Sequence, residues 1–220
     1  MMTKCSNSSC KHSKGFIENP NAFVHLPLRT QLENILSQHP SSYFENRLQN
    51  ICDYSSDICR GDLCQYVAKQ EEKSFITLII NVDGIEIAKS SKSSLWIITF
   101  VVNEFKKHER FQLQNVLVGG IGGVKSKPTR KEMAMYLDPV IDELLFLEHG
   151  HHFQTNDGNR LFLKVFLIGG SFDKPAQAIV QNIVESNGAY GCGKCLIKGM
   201  INNKRNRRTL NYITNKGENF

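Results

Sequence analysis

The sequence predicts a mixed α/β fold, a single sheet with helices packed on its faces. Two observations carry this. Phe75–Val82, Leu95–Asn103 and Leu161–Ile168 are apolar, β-branched runs of strand length. Two other stretches place apolar residues at helical spacing: Val140, Ile141, Leu144, Leu145 and Leu147, then Ala176, Ile179, Val180, Ile183 and Val184. The resulting order is strand, strand, strand, a short fourth strand, helix, strand, helix. Such an order builds a mixed sheet with flanking helices.

Ahead of this core, Pro27–Leu36 reads as a short helix, with proline at its start and Leu28, Leu32 and Ile35 on one face. Ser41–Tyr66 shows no clear period and is expected to be irregular. Phe75–Val82 is the first core strand, and Asp83-Gly84 is a two-residue hairpin signal leading into Ile85-Glu-Ile-Ala. Leu95–Asn103 is apolar almost throughout, as a central strand would be. Val116–Val118 is a short strand candidate, and Gly119-Gly-Ile-Gly-Gly123 reads as a flexible connection, because no Gly-Lys-Ser/Thr phosphate-loop ending follows. Asp138-Pro139 resembles an N-cap with proline at the first helical position. A second helix is expected to start at Pro175 and to end at Asn187-Gly188.

The 220 residues are enough for one core, with 40% hydrophobic and 22% charged residues. The longest nearly continuous apolar run, Leu95–Val102, is far short of the ~20 residues of a membrane helix. The first residues have no signal-peptide character, so an intracellular chain is expected. Net charge is +6, and the excess lies from Lys194 onward, where seven basic residues face one acidic residue. Lys89–Lys131 is a second basic block and Glu132–Leu163 an acidic one. A polyanion partner would account for such blocks; a solvated face with a loose tail would do so equally.

Seven cysteines suit thiols or metal ligands better than a disulfide framework. Cys5-x4-Cys10-x-His12 could be half a zinc ribbon or part of a frayed terminus. Cys52, Cys59 and Cys64 match no common zinc spacing. Cys192-x2-Cys195, with Gly191 and Gly193 permitting a tight turn, is a zinc-knuckle pattern that supplies two ligands and needs two more. His149-Gly-His-His152 could contribute them, or be ordinary loop histidines.

Asp83 ends one strand and Asp173 follows another. If those strands are neighbours, the two carboxylates could hold Mg²⁺ or Mn²⁺ for phosphodiester chemistry. Taken singly, Asp83 is also a turn residue and Asp173 a helix-start acid.

The blocks around these acids are more specific. Asn81-Val-Asp-Gly through Trp96, Asn103-Glu-Phe, Asn115 through Gly123, Tyr136-Leu-Asp-Pro-Val-Ile-Asp-Glu-Leu, Ser171-Phe-Asp-Lys-Pro-Ala and Asn187 through Leu196 occur in that order. Over roughly residues 23–200 this resembles the transposase domain of CACTA-like DNA transposons. The resemblance implies a partial ribonuclease H-like sheet in which Asp83 and Asp173 are metal ligands for DNA cleavage and strand transfer. It implies that the third carboxylate, a glutamate, lies beyond residue 220, so that these residues alone would be inactive. Cys192 and Cys195 would then hold structural Zn²⁺. Lys89, Lys92, Lys125, Lys127, Lys204, Arg205, Arg207 and Arg208 would meet the phosphates of transposon ends in a nuclear protein, possible as a homo-oligomer and without a membrane. The implied organisation is a polar segment over 1–22, a helical or irregular lead-in over 23–70, the core over 71–191, and a cysteine knuckle with basic tail over 192–220. A non-catalytic DNA-binding or protein-interaction module of the same descent is the alternative.

Overall fold

The structure, a computed structural model, describes residues 22–45, 58, 61–88, 93–124, 127–185, 188–190, 198, 200–202 and 207–209. In chain order the elements are β1 (Ala22–His25), α1 (Leu28–Leu36), α2 (Ser42–Glu45), α3 (Asp62–Gln70), β2 (Phe75–Ala88), β3 (Ser93–Val102), α4 (Lys107–Arg110), a 3₁₀ turn (Leu113–Asn115) and β4 (Val116–Val124). They continue with α5 (Arg130–Glu148), β5 (His151–Gln154), β6 (Arg160–Phe172), α6 (Lys174–Val180), β7 (Met200–Asn202) and β8 (Arg207–Thr209). The expected class is observed: a mixed α/β protein whose six-stranded sheet runs β1-β4-β3-β2-β6-β5. Within it β2 and β6 pair in parallel, while the other neighbours are antiparallel. Strands β7 and β8 form a separate antiparallel ribbon.

Asp83-Gly84 is not a hairpin turn. Strand β2 runs through it, pairing Asp83 with Ile97 and Gly84 with Trp96 of β3. The chain reverses between Ala88 and Ser93 instead. Gly84 answers to packing, since a Cβ there would lie 2.8 Å from the Trp96 indole. The glycine run after Val118 is strand too, not a flexible connection. Its missing side chains make room for aromatic rings: Phe100 lies over Gly119, Phe23 over Gly120 and Tyr136 over Gly122. Trp96 and Phe100 are themselves buried core residues.

Helix α5 starts nine residues before the expected Asp138 cap. Thr129 and Glu132 form a reciprocal capping box, and Pro139 lies inside the helix. The buried stripe is Met133, Tyr136, Val140, Leu144 and Leu147, whereas Ile141 and Leu145 are about half exposed. Burial on both sides of Pro139 offsets the ~3 kcal/mol or more that an interior proline costs. Helix α6 is shorter than expected. Asn182, in the left-handed region at φ 52°, ends it, with Asn182 N–H bonded to Ile179 O and Ile183 N–H to Ala178 O. Part of the segment expected to be irregular is helical: α3 turns Cys64 inward as a buried residue.

Helix α1 buries Leu28, Leu32, Ile35 and Leu36, yet Pro27 at its N-cap has no side-chain oxygen to offer. Glu143 of α5 supplies it, accepting from Leu28 N–H at 2.8 Å and Arg29 N–H at 2.9 Å, with His25 Nε2 at 3.2 Å. Both helices join the sheet residues in one hydrophobic cluster.

A second polar clasp ties the Ser41 segment to the β5–β6 turn. The Asp157 carboxylate takes bonds from the Ser41 amide and hydroxyl and from the Thr155 hydroxyl. These bonds, that from Thr155 first, hold the Asp157 carboxyl well below its ordinary value of 3.8, although partial desolvation opposes them. A depressed carboxylate stabilises the fold above its unfolded pKa and loses that contribution as pH falls below it. The urea-midpoint difference between wild type and Asp157→Ala should therefore be full at neutral pH and shrink below about pH 4. A constant difference would remove the carboxylate from the clasp.

Tyr136 is buried, stacked on Phe23 at 4.8 Å, and its hydroxyl has no hydrogen-bond partner among the described residues. Burial, then the Glu132 charge, pushes the phenol pKa up. Tyr136→Phe removes the unpaired hydroxyl and keeps the stacking, and should stabilise the protein by about 1 kcal/mol in urea unfolding. A loss of stability would mean that the hydroxyl has a partner.

Candidate functional site

The site is built by the one change of step in the parallel ladder. From Phe75 to Leu78 each β2 residue pairs with the β6 residue 89 positions later, as Leu78 does with Leu167. From Ile79 onward the interval is 90, starting with Gly169, and Ile168 is the extra residue. The ladder then continues through Asn81–Ser171 to Val82–Phe172. Asp83, still within β2, and Asp173, the cap of α6 just past β6, are the residues that follow this last pair. The two acids separated by ninety residues thus follow the last rung at the C-terminal end of the parallel ladder, where β6 stops and β2 runs on along β3. Ligands of open α/β sheets bind outside such ends, where neighbouring connections diverge.

Val82 is fully buried and Asp83 exposed, so the carboxylate points away from the core. Its Oδ1 accepts from Gly84 N–H at 2.8 Å. Asp173 is exposed and caps α6, its Oδ1 accepting from Ala176 N–H at 2.7 Å, with Pro175 in the first turn. Neither carboxylate has a basic partner among the described residues. Two exposed carboxylates that follow the same ladder pair, without a basic partner among the described residues, offer hard oxygen donors of the kind taken by a divalent cation that keeps several of its waters.

Two neutral oxygen-bearing residues sit one step of the pleat below. Asn81 Nδ2 donates to the Ser171 carbonyl at 2.7 Å, and both residues are exposed. The sequence reading missed them, although Asn81-x-Asp83 and Ser171-x-Asp173 repeat a polar residue at the strand period of two.

The other candidates are dispersed. Glu185 is bonded to Lys127 at 2.7 Å, and that ammonium holds its carboxyl below the usual range. Lys127, expected on phosphate, is thus paired within the protein. His149 Nδ1 meets Leu145 O, His151 meets Glu33 at 3.2 Å, and His152 stacks edge-on with Phe162. His151 and His152 are neighbours in β5 rather than in a loop, and they have different partners. Among the described residues no group of three or more His, Cys, Asp or Glu side chains converges. Arg207 and Arg208 belong to β8, in register with Asn202 and Ile201. Lys89, Lys92, Lys125, Cys192, Cys195, Lys204 and Arg205 lie outside the described residues, as do Cys5, Cys10, His12, Cys52 and Cys59. Two clefts between α5 and α6, of about 360 and 220 Å³, share Arg130 and Ile179, and neither is lined by Asp83 or Asp173.

No family model matches the chain, and no curated protein does.

The acids differ in structural duty, which stability measurements can separate. Asp173→Ala removes the α6 cap and should cost about 1 kcal/mol, Asp173→Asn much less, because an amide oxygen still caps. Asp83→Ala should change urea-unfolding stability by no more than about 0.5 kcal/mol. Equal losses for the two Asp173 variants would show that charge, not the cap, sets its contribution.

Proposed function

We propose that the chain belongs to the catalytic domain of a DDE-type DNA transposase of the CACTA-like kind, with a ribonuclease H-like sheet. The observation that carries this is the position of Asp83 and Asp173 directly after the last β2–β6 pair, at the parallel junction of an otherwise antiparallel β4-β3-β2 meander with β6. From β2 to α6 the order of elements, apart from the short α4 and the added β5, is compatible with that fold, and the acids stand at the positions that the resemblance assigns to its first two carboxylates.

In this reading Asp83 and Asp173 hold Mg²⁺ or Mn²⁺. The ion supplies charge neutralisation at the phosphate oxygens of the strand being cut. Asp173 is oriented by its bond to Ala176 N–H, which leaves its second oxygen for the ion. Asp83 is aimed by the pleat of β2 away from the core. The basic residues Lys89, Lys92, Lys125, Lys127, Lys204, Arg205, Arg207 and Arg208 steer the DNA backbone towards the two acids. For Lys127 this requires release from Glu185. Zn²⁺ at Cys192 and Cys195 belongs to the same proposal. A non-catalytic DNA-binding module is the second reading, favoured because no group of three or more His, Cys, Asp or Glu side chains converges among the described residues.

Two outcomes are expected of residues 1–220 supplied with Mn²⁺ and DNA bearing transposon ends. The DNA should be neither nicked nor joined, because loss of one carboxylate disturbs the placement of the ions. Cleavage that depends on Asp83 would show that another acid completes the set. DNA should bind with little sequence preference, log affinity falling by about 0.9 per log unit of salt for each phosphate neutralised. Neutralising Lys204, Arg205, Arg207 and Arg208 together should flatten that slope. An unchanged slope, or no binding at low salt, would remove DNA as the partner.

A further inference from the structure

Resting on the metal-site reading above, we infer that Asn81 is the positioning residue of the Asp83–Asp173 pair, a side-chain clamp that fixes the two strand ends at the spacing an ion requires. The parallel ladder ends at Val82–Phe172. Beyond it β6 gives way to α6, while β2 continues for six residues alongside β3. The two acids therefore lie just past the last β2–β6 pair, and their spacing is held from below.

Asn81 stands two residues before Asp83 on the same face of β2, a rise of roughly 6.6 Å. Its 2.7 Å bond crosses to the strand that delivers Asp173. A carbonyl oxygen can only accept, so the end of the amide that meets Ser171 O is the nitrogen, and its oxygen is left on the face of the acids. The side chain is exposed, and water would satisfy it equally well. Spending it on a carbonyl across the strand gap adds a link where the backbone ladder is about to end. The extra residue at Ile168 is what brings the Ser171 carbonyl opposite Asn81.

The experiment uses the whole chain with Tb³⁺ as the probe ion. Emission would be sensitised by Trp96, the single tryptophan, whose ring lies against Gly84 next to Asp83. Mn²⁺ binding followed by electron paramagnetic resonance gives an independent isotherm. The wild-type chain should bind both ions, Mg²⁺ should compete, and Asp83→Ala should abolish binding. Asn81→Ala and Asn81→Leu should each weaken binding by about tenfold or more, as the loss of a residue that orients a ligand does. Their ion-free melting temperatures should stay near wild type, and Asn81→Gln, which keeps the donor, should recover part of the affinity. Unchanged affinity in both Asn81→Ala and Asn81→Leu overturns the clamp while leaving the metal site standing. So does a loss matched by an equal fall in ion-free stability. Absence of ion binding in the wild-type chain, or binding indifferent to Asp83→Ala, overturns the metal-site reading itself.

Discussion

Parallel pairing of β2 with β6 changes step where Leu167 and Gly169 become successive partners of Leu78 and Ile79, leaving Ile168 over. Side chains alternate between the faces of a strand, so one extra residue exchanges the faces of everything after it. With an unbroken step Asp83 would stand opposite Phe172, and Asp173 would be offset by one position. The glycines that follow suit the distortion: Gly169 has only one side-chain atom near the place of a Cβ, and at Gly170 that place is filled by the Phe172 ring. That the two acids follow the same ladder pair depends on this irregularity.

The two ends of β2 are held differently. Near its start Thr77 is fully buried, and its amide and hydroxyl are both bound by the Glu104 carboxylate, at 2.7 and 2.8 Å. Asn103 reaches the same hydroxyl, and Arg110 donates to the carbonyls of Asn103 and Phe105. Buried polar networks of this kind are rigid when satisfied, because any break strands a group away from water. At the other end Asp83, Ile85 and Ile87 are exposed, and the strand leaves β6 behind. Stiffness at one end and open carboxylates at the other give a ligand site a fixed base.

Features with a local cause were legible in the sequence. β-Branched runs gave the strands from Phe75, Leu95 and Leu161, and Asp173-Lys-Pro gave the start of α6, because propensity and capping act over a few residues. The failures have distant causes. Gly84 looks like a turn until Trp96 is placed against it, and the glycines of β4 look flexible until Phe23, Phe100 and Tyr136 cover them. Pro139 looked like a helix start because Thr129-x-x-Glu132, the stronger signal, was passed over. Of the site, Asp173 was legible as the acid just past a strand, and Asp83 as an acid on one, although β2 runs on past it to Ala88. The step change that sets them after the same ladder pair was not, since nothing in Leu167-Ile-Gly-Gly says which residue is left over.

The borrowed cap of α1 bears on how the molecule is made. Glu143 lies 115 positions after the Leu28 amide it serves. As the chain emerges from the ribosome at about 5–20 residues per second, α1 therefore waits many seconds for its cap. A nine-residue helix is marginal on its own, so through that interval Leu28, Leu32, Ile35 and Leu36 are exposed rather than packed. This lead-in is synthesised well before the Glu143 that secures it, and in the cell it is a ready target for chaperones that bind apolar segments of nascent chains.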